Sequence, residues 1–389
     1  MALRALVIGG GIGGLALARE LSLRRLGVTV LERTATLSPV GAGIIMNPNA
    51  MAVLEANGLA AGLRAAGWPY LARETHDARG RLLAVRDYRP LYDSGRLARG
   101  TLVHRAHLHH ALHDGLPPAA VHFGVRVRTL EASDDGVRVT TEDGDTHAAD
   151  VLVGADGIRS MVRARFFGAD EPAYLGYRSH RFVVGRPPGV EHFTEFLGRG
   201  KRVGLVPISR DRLYVWTTFN SPRSSTDWAL DNVARFRALF AEFSDPRVTA
   251  ALAQLESTRE VLCTDIEEVR QARWVAGRVA LLGDAAHALT PNMGQGAGMA
   301  MEDAAVLAGE LAAADAGART LAAALDAYVA RRRRRVDTIV RLSRAIGEEG
   351  QRQSALACWW RNRRIERQGR DPDRAQAMLT RLLAWPDGD

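Results

Sequence analysis

Hydrophobic and polar positions change rhythm several times along this chain, and each change predicts an element. An apolar run at 3–8, a glycine cluster, an amphipathic stretch at 15–25 and a second apolar run at 28–31 read as strand, loop, helix and strand. A helix over 50–56 is predicted, with Asn49 as its cap and Gly58 at its end. A short strand at 101–103 leads into a helix to 115. Residues 121–153 alternate as strands, with turns at Asp134-Asp135-Gly136 and Glu142-Asp143-Gly144. Segments 181–185, 192–197, 202–208 and 213–219 are β-like and carry aromatic residues, which predicts an inserted antiparallel sheet. Two helices over 229–255 split near Asp245-Pro246. The run Val279-Ala280-Leu281-Leu282 reads as a buried strand and 297–311 as a helix. Residues 319–347 are strongly helical, and 349–389 helical or ragged. The order predicts an α/β fold.

Composition narrows this little. The 389 residues and 47% apolar content allow two domains or one large composite domain. No apolar run reaches the ~18 residues of a membrane span, and no secretory leader is expected. Cys263 and Cys358 lie far apart, without metal or CxxC spacing, so a disulfide-free cytoplasmic protein is expected. The net charge of +8 comes mostly from arginine, and Arg331 to Arg335 form an unbroken run. That run reads as a solvated helix face, with a nucleic-acid or anionic-membrane role as the alternative. No aromatic-interleaved basic motif points to nucleic acid.

Glycines change the picture more. Gly9, Gly11 and Gly14 have the GxGxxG spacing between a strand and a helix, and Glu32 closes the next strand. This is the dinucleotide fingerprint: a tight turn, a close approach of pyrophosphate to backbone, close packing of helix on strand, and an acid for ribose hydroxyls. The stretch Val40-Gly41-Ala42-Gly43-Ile44 suggests either close backbone approach to something flat or a plain loop. Arg105, at a helix start, is either a surface charge or a phosphate partner. Asp156 stands in Gly154-Ala155-Asp156-Gly157, at the carboxyl end of a strand, where open α/β sheets bind ligands. Gly283-Asp284 opens a loop that runs through Pro291 to Gly294-Gln295-Gly296 and then a helix start, which suits an electron-rich ligand edge.

The GxGxxG with Glu32, the Gly154-Ala155-Asp156-Gly157 segment and the Gly283-Asp284 loop with Pro291 and Gly294-Gln295-Gly296 together resemble the single-component (class A) FAD-dependent aromatic monooxygenases of the para-hydroxybenzoate hydroxylase type, over about residues 3–345. Within that class, Gly200-Lys201-Arg202-Val203-Gly204, the 290–296 loop and Trp360-Arg361-Asn362 are similar to the 2-heptyl-4-quinolone 3-hydroxylase and FAD-dependent urate hydroxylase branches. The resemblance implies a Rossmann-like FAD-binding domain of the glutathione reductase type, built from 1–72, 100–172 and 270–345. An antiparallel substrate domain from 73–99 and 173–269 and a C-terminal helical segment, 346–389, complete it.

It also implies roles. Glu32 would hold the adenosine ribose, with Arg33 beside it. Gly9, Gly11, Gly13 and Gly14 would form the pyrophosphate loop, and Arg105 would stand near the phosphates. Gly43 and Asp156 belong to the cofactor set, Asp156 with nicotinamide contacts as well. Asp284 would bond the ribityl chain. The N–H groups at Gly296, Ala297 and Gly298 would face the flavin's N1–C2=O edge. Pro291, Asn292, Arg202 and Tyr214 are the expected substrate-side residues, and no metal is expected. In this class NADPH or NADH reduces FAD, O2 adds at the flavin C4a, and an aromatic ring is hydroxylated.

The urate hydroxylase pattern has an acid where Asn292 stands, so a quinolone-like, lipophilic aromatic fits better than urate. Tyr214 and Trp216 share one strand face and serve either the core or the substrate. His76 and His180 are expected to be satisfied side chains and His287 to shape its loop. The rivals are a flavin halogenase or reductase on the same fold, and a non-catalytic FAD-binding interaction protein. A monomer or homodimer is expected.

Overall fold

The computed structural model describes residues 2–37, 42–168, 171–223 and 230–385. At its centre the Arg4–Ile8 strand pairs in parallel with Gly27–Glu32 on one side and Val151–Gly154 on the other. Val279–Leu281 extends the sheet beyond Val151–Gly154, and Val121–Phe123 beyond Gly27–Glu32, again in parallel. These strands are short apolar runs because both faces are covered: Leu6, Val7, Leu152, Val153, Val279 and Ala280 are buried. The Ile12–Leu23 helix packs against the Gly296–Asp315 helix, which crosses from the far end of the chain. The parallel order brings Ile8, Glu32, Gly154 and Leu281 to the same end of the sheet, the end that takes ligands in such folds.

Among the described residues the second sheet has seven strands, in the order Leu262–Glu268, Ala173–Gly185, Arg212–Asn220, Lys201–Pro207, Phe193–Leu197, Ala72–Asp77 and Leu82–Asp87. All its pairs are antiparallel except Phe193–Leu197 with Ala72–Asp77. Two-residue alternation splits its side chains. Phe182, Val203, Leu213 and Val215 face a separate apolar core closed by Phe236 of the Val233–Leu239 helix, by Phe240 just after it, and by Val248 and Leu252 of the Pro246–Ala253 helix. Tyr214, Trp216 and Thr218 face the opposite way, toward the first sheet.

Two expectations are corrected. The second helix begins at Pro48, with Asn47 as its flanking residue, because proline's fixed φ suits the first helical position. Asn49 lies inside that helix, buried, and donates to Gln295 Oε1 at 2.8 Å and Glu302 Oε1 at 2.7 Å. The arginine run, expected to be solvated, is largely an ion-pair seam. Helical spacing turns Arg332 and Arg335 to the same side of the Leu321–Gly350 helix, against the Gly296–Asp315 helix. Arg332 is fully buried, 2.7 Å from Asp303 and 2.6 Å from Glu302, and Arg335 lies 2.7 Å from Glu302. Arg331 and Arg334 remain exposed.

Candidate active site

A cavity of about 420 Å³ lies between the ligand end of the first sheet and the inner face of the second. Local geometry explains its floor. Gly9 has φ +106°, and a Cβ there would stand 2.5 Å from the Ala155 carbonyl. A Cβ on Gly14 would collide with the Gly9 carbonyl oxygen. These two glycines let strand, loop and helix close on one another. Gly11 and Gly296 differ: a Cβ on either would meet nothing within 4 Å, and both line the cavity. Each stands at the N-terminus of a long helix, Ile12–Leu23 and Gly296–Asp315, where free N–H groups concentrate positive potential. Two bare backbone turns and two helix N-termini facing one cavity fit a dinucleotide carrying phosphates at one end and an electron-rich ring at the other.

The charged groups follow. Arg105 and Asp284 both line the cavity, and neither has a side-chain hydrogen-bond or ion-pair partner among the described residues. Burial raises the Asp284 carboxyl above the usual range, with His287 and Arg105 pulling it back. Burial lowers the Arg105 guanidinium, with Asp284 opposing. His287 itself is turned away. Its Nε2 lies 2.6 Å from Asp303, which also accepts from the Gly283 N–H at 3.1 Å and from Arg332 Nε at 2.7 Å. This buried triad holds the turn that presents Asp284.

On the opposite wall Arg202 is 1% exposed. Its guanidinium donates to Asn292 Oδ1 at 2.7 Å, Gln351 Oε1 at 3.0 Å and Thr218 Oγ1 at 3.2 Å, and reaches Glu195 at 3.4 Å. Asn292 Nδ2 lies within donating distance of Thr290 Oγ1 (2.8 Å), the Ser343 carbonyl (2.9 Å) and the Tyr177 hydroxyl (3.0 Å). Both residues line the cavity, yet their polar atoms are engaged within its wall. Tyr214 stands beside Gly43, where a Cβ would come within 2.5 Å of it, and burial raises its hydroxyl above the usual range. Among the described residues lining the cavity, Asp284 is the only carboxylate.

The structure therefore brings Gly11, Gly13, Gly43, Arg105, Asp284, Pro291, Asn292, Gly296, Ala297, Arg202 and Tyr214 around one space. The remaining expected residues stand behind it. Glu32 accepts from the Gly10 N–H at 2.6 Å and the Thr34 N–H at 2.8 Å, bracing the glycine loop. Arg33 is exposed. Asp156 accepts from Ser160 Oγ at 2.5 Å and the Met161 N–H at 2.7 Å, capping the Met161–Phe167 helix, while its neighbours Ala155 and Gly157 face the cavity. Gly298 packs under Asn49 and Gln295. Val40 and Gly41 lie outside the described residues. His180 is buried against Phe219, and His76 bonds Glu74 and the Gly80 carbonyl.

Sequence reading missed Arg181. It lines the cavity from the Ala173–Gly185 strand, two residues from Ser179 and so on the same face, and it has no hydrogen-bond or ion-pair partner among the described residues. The alternation within that strand was the available signal.

Comparison with known proteins places this geometry. The family model described as FAD binding domain matches residues 2–343. The chain is 35% identical to the aurachin C monooxygenase/isomerase of Stigmatella aurantiaca over 98% of both chains. It is 35% identical to the 2-heptyl-3-hydroxy-4(1H)-quinolone synthase of Pseudomonas aeruginosa over 92% of both. The crystal structure of Klebsiella pneumoniae HpxO complexed with FAD and uric acid superposes with a TM-score of 0.88, at 30% identity, over 99% of this chain and 98% of that one.

Proposed function

The chain belongs to the FAD binding domain family and is an FAD-dependent aromatic monooxygenase, and we propose from that premise that it hydroxylates a neutral, electron-rich bicyclic heteroaromatic of the 4-quinolone type, using O2 and NADPH or NADH. The observation that carries the reading is the bonding of Asn292. Where an acid could activate an acidic ring such as urate, this chain has an amide whose oxygen is held by Arg202 and whose nitrogen faces the wall. With Asp284 reserved for the cofactor, no carboxylate among the lining residues is left to take a proton from the substrate. A ring that needs no deprotonation fits such a site. A 4-quinolone is one, because its ring nitrogen already pushes electron density onto the carbon beside the carbonyl.

Bound FAD supplies the oxygen-activating redox chemistry. The chain's own residues bind and orient. Asp284 accepts from the ribityl hydroxyls, and Arg105 and the Gly11 turn face the phosphates. Glu32 holds the adenosine ribose by exchanging a backbone partner for a hydroxyl. The N–H groups at Ala297 and Gly298 stabilise negative charge at the flavin's edge. Pro291, Phe193, Tyr214 and Trp216 pack the substrate ring and exclude water. Arg181 donates to the ring oxygen, while Arg202 and Asn292 hold the wall in shape. In this reading 1–72, 100–172 and 270–345 hold FAD, 73–99 and 173–269 hold the substrate, and 346–389 is a C-terminal segment of a cytoplasmic enzyme.

The test is anaerobic reduction by NADPH and by NADH with 2-alkyl-4-quinolones, phenols and urate, then product analysis under ¹⁸O2. A quinolone should accelerate flavin reduction and gain one labelled hydroxyl. Faster turnover of urate, or no coupling with any quinolone, would overturn the substrate assignment.

A further inference from the structure

We propose that the exposed face of the Ala355–Gly369 helix docks on an anionic lipid bilayer. The inference goes beyond the reaction assigned to the cavity and uses none of its residues. One side of this helix is fixed to the protein. Cys358 and Arg361 are buried, and Arg361 donates to the Gly198 carbonyl at 3.0 Å and the Gly350 carbonyl at 3.3 Å. That anchoring sets the rotation of the helix. Its period then aligns Leu356, Trp359, Trp360, Arg363, Arg364 and Arg367 on the outer side. Leu356 is 66% exposed, Trp359 49% and Trp360 55%, an unusual loss of burial for two indoles.

The face is ordered along its length, apolar first and basic after. The two indole rings meet edge to face at 4.8 Å, and the Arg363 guanidinium lies 5.6 Å from the Trp359 ring. Acids temper only part of the basic end. Arg364 pairs with Glu349 at 3.0 Å and Arg363 with Glu366 at 3.5 Å. Arg367 and Arg370 have no acidic partner among the described residues, although Asp371 and Asp373 follow them in the chain.

Indoles rest at the boundary between headgroups and acyl chains, and arginines beside them pair with lipid phosphates. A second copy of this chain fits the face poorly. Parallel two-fold pairing would set the arginines against themselves, and antiparallel pairing would set them against Leu356 and the indoles of the other copy, with no acid to meet them. Nucleic acid would match the arginines but offers no hydrocarbon to Leu356. The overall charge of +8 favours approach to an anionic surface.

The experiment is flotation of the full-length FAD-loaded enzyme with vesicles of phosphatidylglycerol and phosphatidylcholine, and with phosphatidylcholine alone, at low and high salt. Binding should require phosphatidylglycerol and weaken with salt. The double variants Trp359→Ser/Trp360→Ser and Arg367→Gln/Arg370→Gln should each lower vesicle affinity roughly tenfold or more. Flavin content and reduction by NADPH should be unchanged in both. Absence of binding to the anionic vesicles, or variants that float like the wild type, would overturn the proposal. So would a tryptophan-dependent dimer in sedimentation without vesicle binding, or tryptophan-dependent capture of a DNA duplex in place of lipid.

Discussion

Asn292 accepts a 2.7 Å hydrogen bond from Arg202, and that bond divides the three arginines among the described residues lining the cavity into two kinds. Arg202 is spent on the wall. Arg105 and Arg181 are not.

Arginine substitutions should therefore separate stability from binding. Arg202 is buried beside Glu195, which also holds Arg73 at 2.5 Å. Arg202→Met removes one of two cations from a buried acid, so unfolding in urea should show a loss of ~3–5 kcal/mol. Arg181→Met removes no ion pair and should stay within ~0.5 kcal/mol of the wild type. It should raise the KM of an oxygen-bearing ring substrate by about 10- to 100-fold, the worth of a charged hydrogen bond, with a smaller change in kcat. Equal stability losses in the two variants would contradict this division.

The glycine loop offers a similar separation. A Cβ at Gly14 strikes the Gly9 carbonyl, whereas a Cβ at Gly11 enters open cavity. Gly14→Ala should lower the melting temperature and recover poorly as soluble protein. Gly11→Ala should fold with an unchanged circular dichroism spectrum yet purify with little FAD, because its methyl group occupies space the pyrophosphate needs. A Gly11→Ala protein that keeps a full complement of flavin would refute the placement of the phosphates.

The contrast between these glycines also shows what a sequence can reveal. The Gly9–Gly14 turn is local: spacing, strand and helix lie within one stretch, and conformational sterics alone select glycine. Asp284 and Tyr214 were legible for a related reason, since each sits at a recognisable strand end or strand face. Asn49, Asp156 and Arg332 were not legible in that way. Each is a polar residue whose partner lies elsewhere in the fold or on the other side of a turn. Asn49 meets Gln295 and Glu302 across more than two hundred residues, and Arg332 meets Asp303 on another helix. Pattern assigns such residues to caps or solvent, and only packing reveals otherwise. Arg181 escaped for a different reason: alternation along its strand puts it on the cavity face with Ser179, but what singles it out is the lack of a hydrogen-bond or ion-pair partner among the described residues, which only the fold reveals.

Asp303 predicts an acid limb. Burial pushes its carboxyl up, but His287 and Arg332 outweigh burial and hold it at about 2. An unfolded carboxyl titrates near ~3.9. A depressed folded value means stability that is present above the unfolded pKa and lost as pH falls through the folded one, worth roughly 2–3 kcal/mol. Urea midpoints should therefore fall between about pH 4 and pH 2. Asp303→Asn should flatten that limb and lower stability at neutral pH by ~3–5 kcal/mol, since Arg332 and the Gly283 N–H lose an anionic partner. An acid limb unchanged in Asp303→Asn would place its origin in other carboxylates.

Asp284 runs the other way, and this makes it the sharper test of the cofactor site. Burial raises its carboxyl, so charging it works against the folded apoprotein. A raised folded value contributes stability that is present below the unfolded pKa and lost as pH rises through the folded one. At neutral pH the carboxylate is thus a burden on the empty protein, as functional groups often are. Asp284→Ala should leave the apoprotein at least as stable at neutral pH as the wild type and remove this contribution at acid pH. The same variant should bind FAD about 10- to 100-fold more weakly, the loss of charged hydrogen bonds to ribityl hydroxyls. Thermal melts of the apoprotein and fluorescence titration with FAD measure the two effects separately. If Asp284→Ala destabilises the empty protein and binds FAD as tightly as the wild type, Asp284 serves the fold, and its place in the cavity carries no cofactor role.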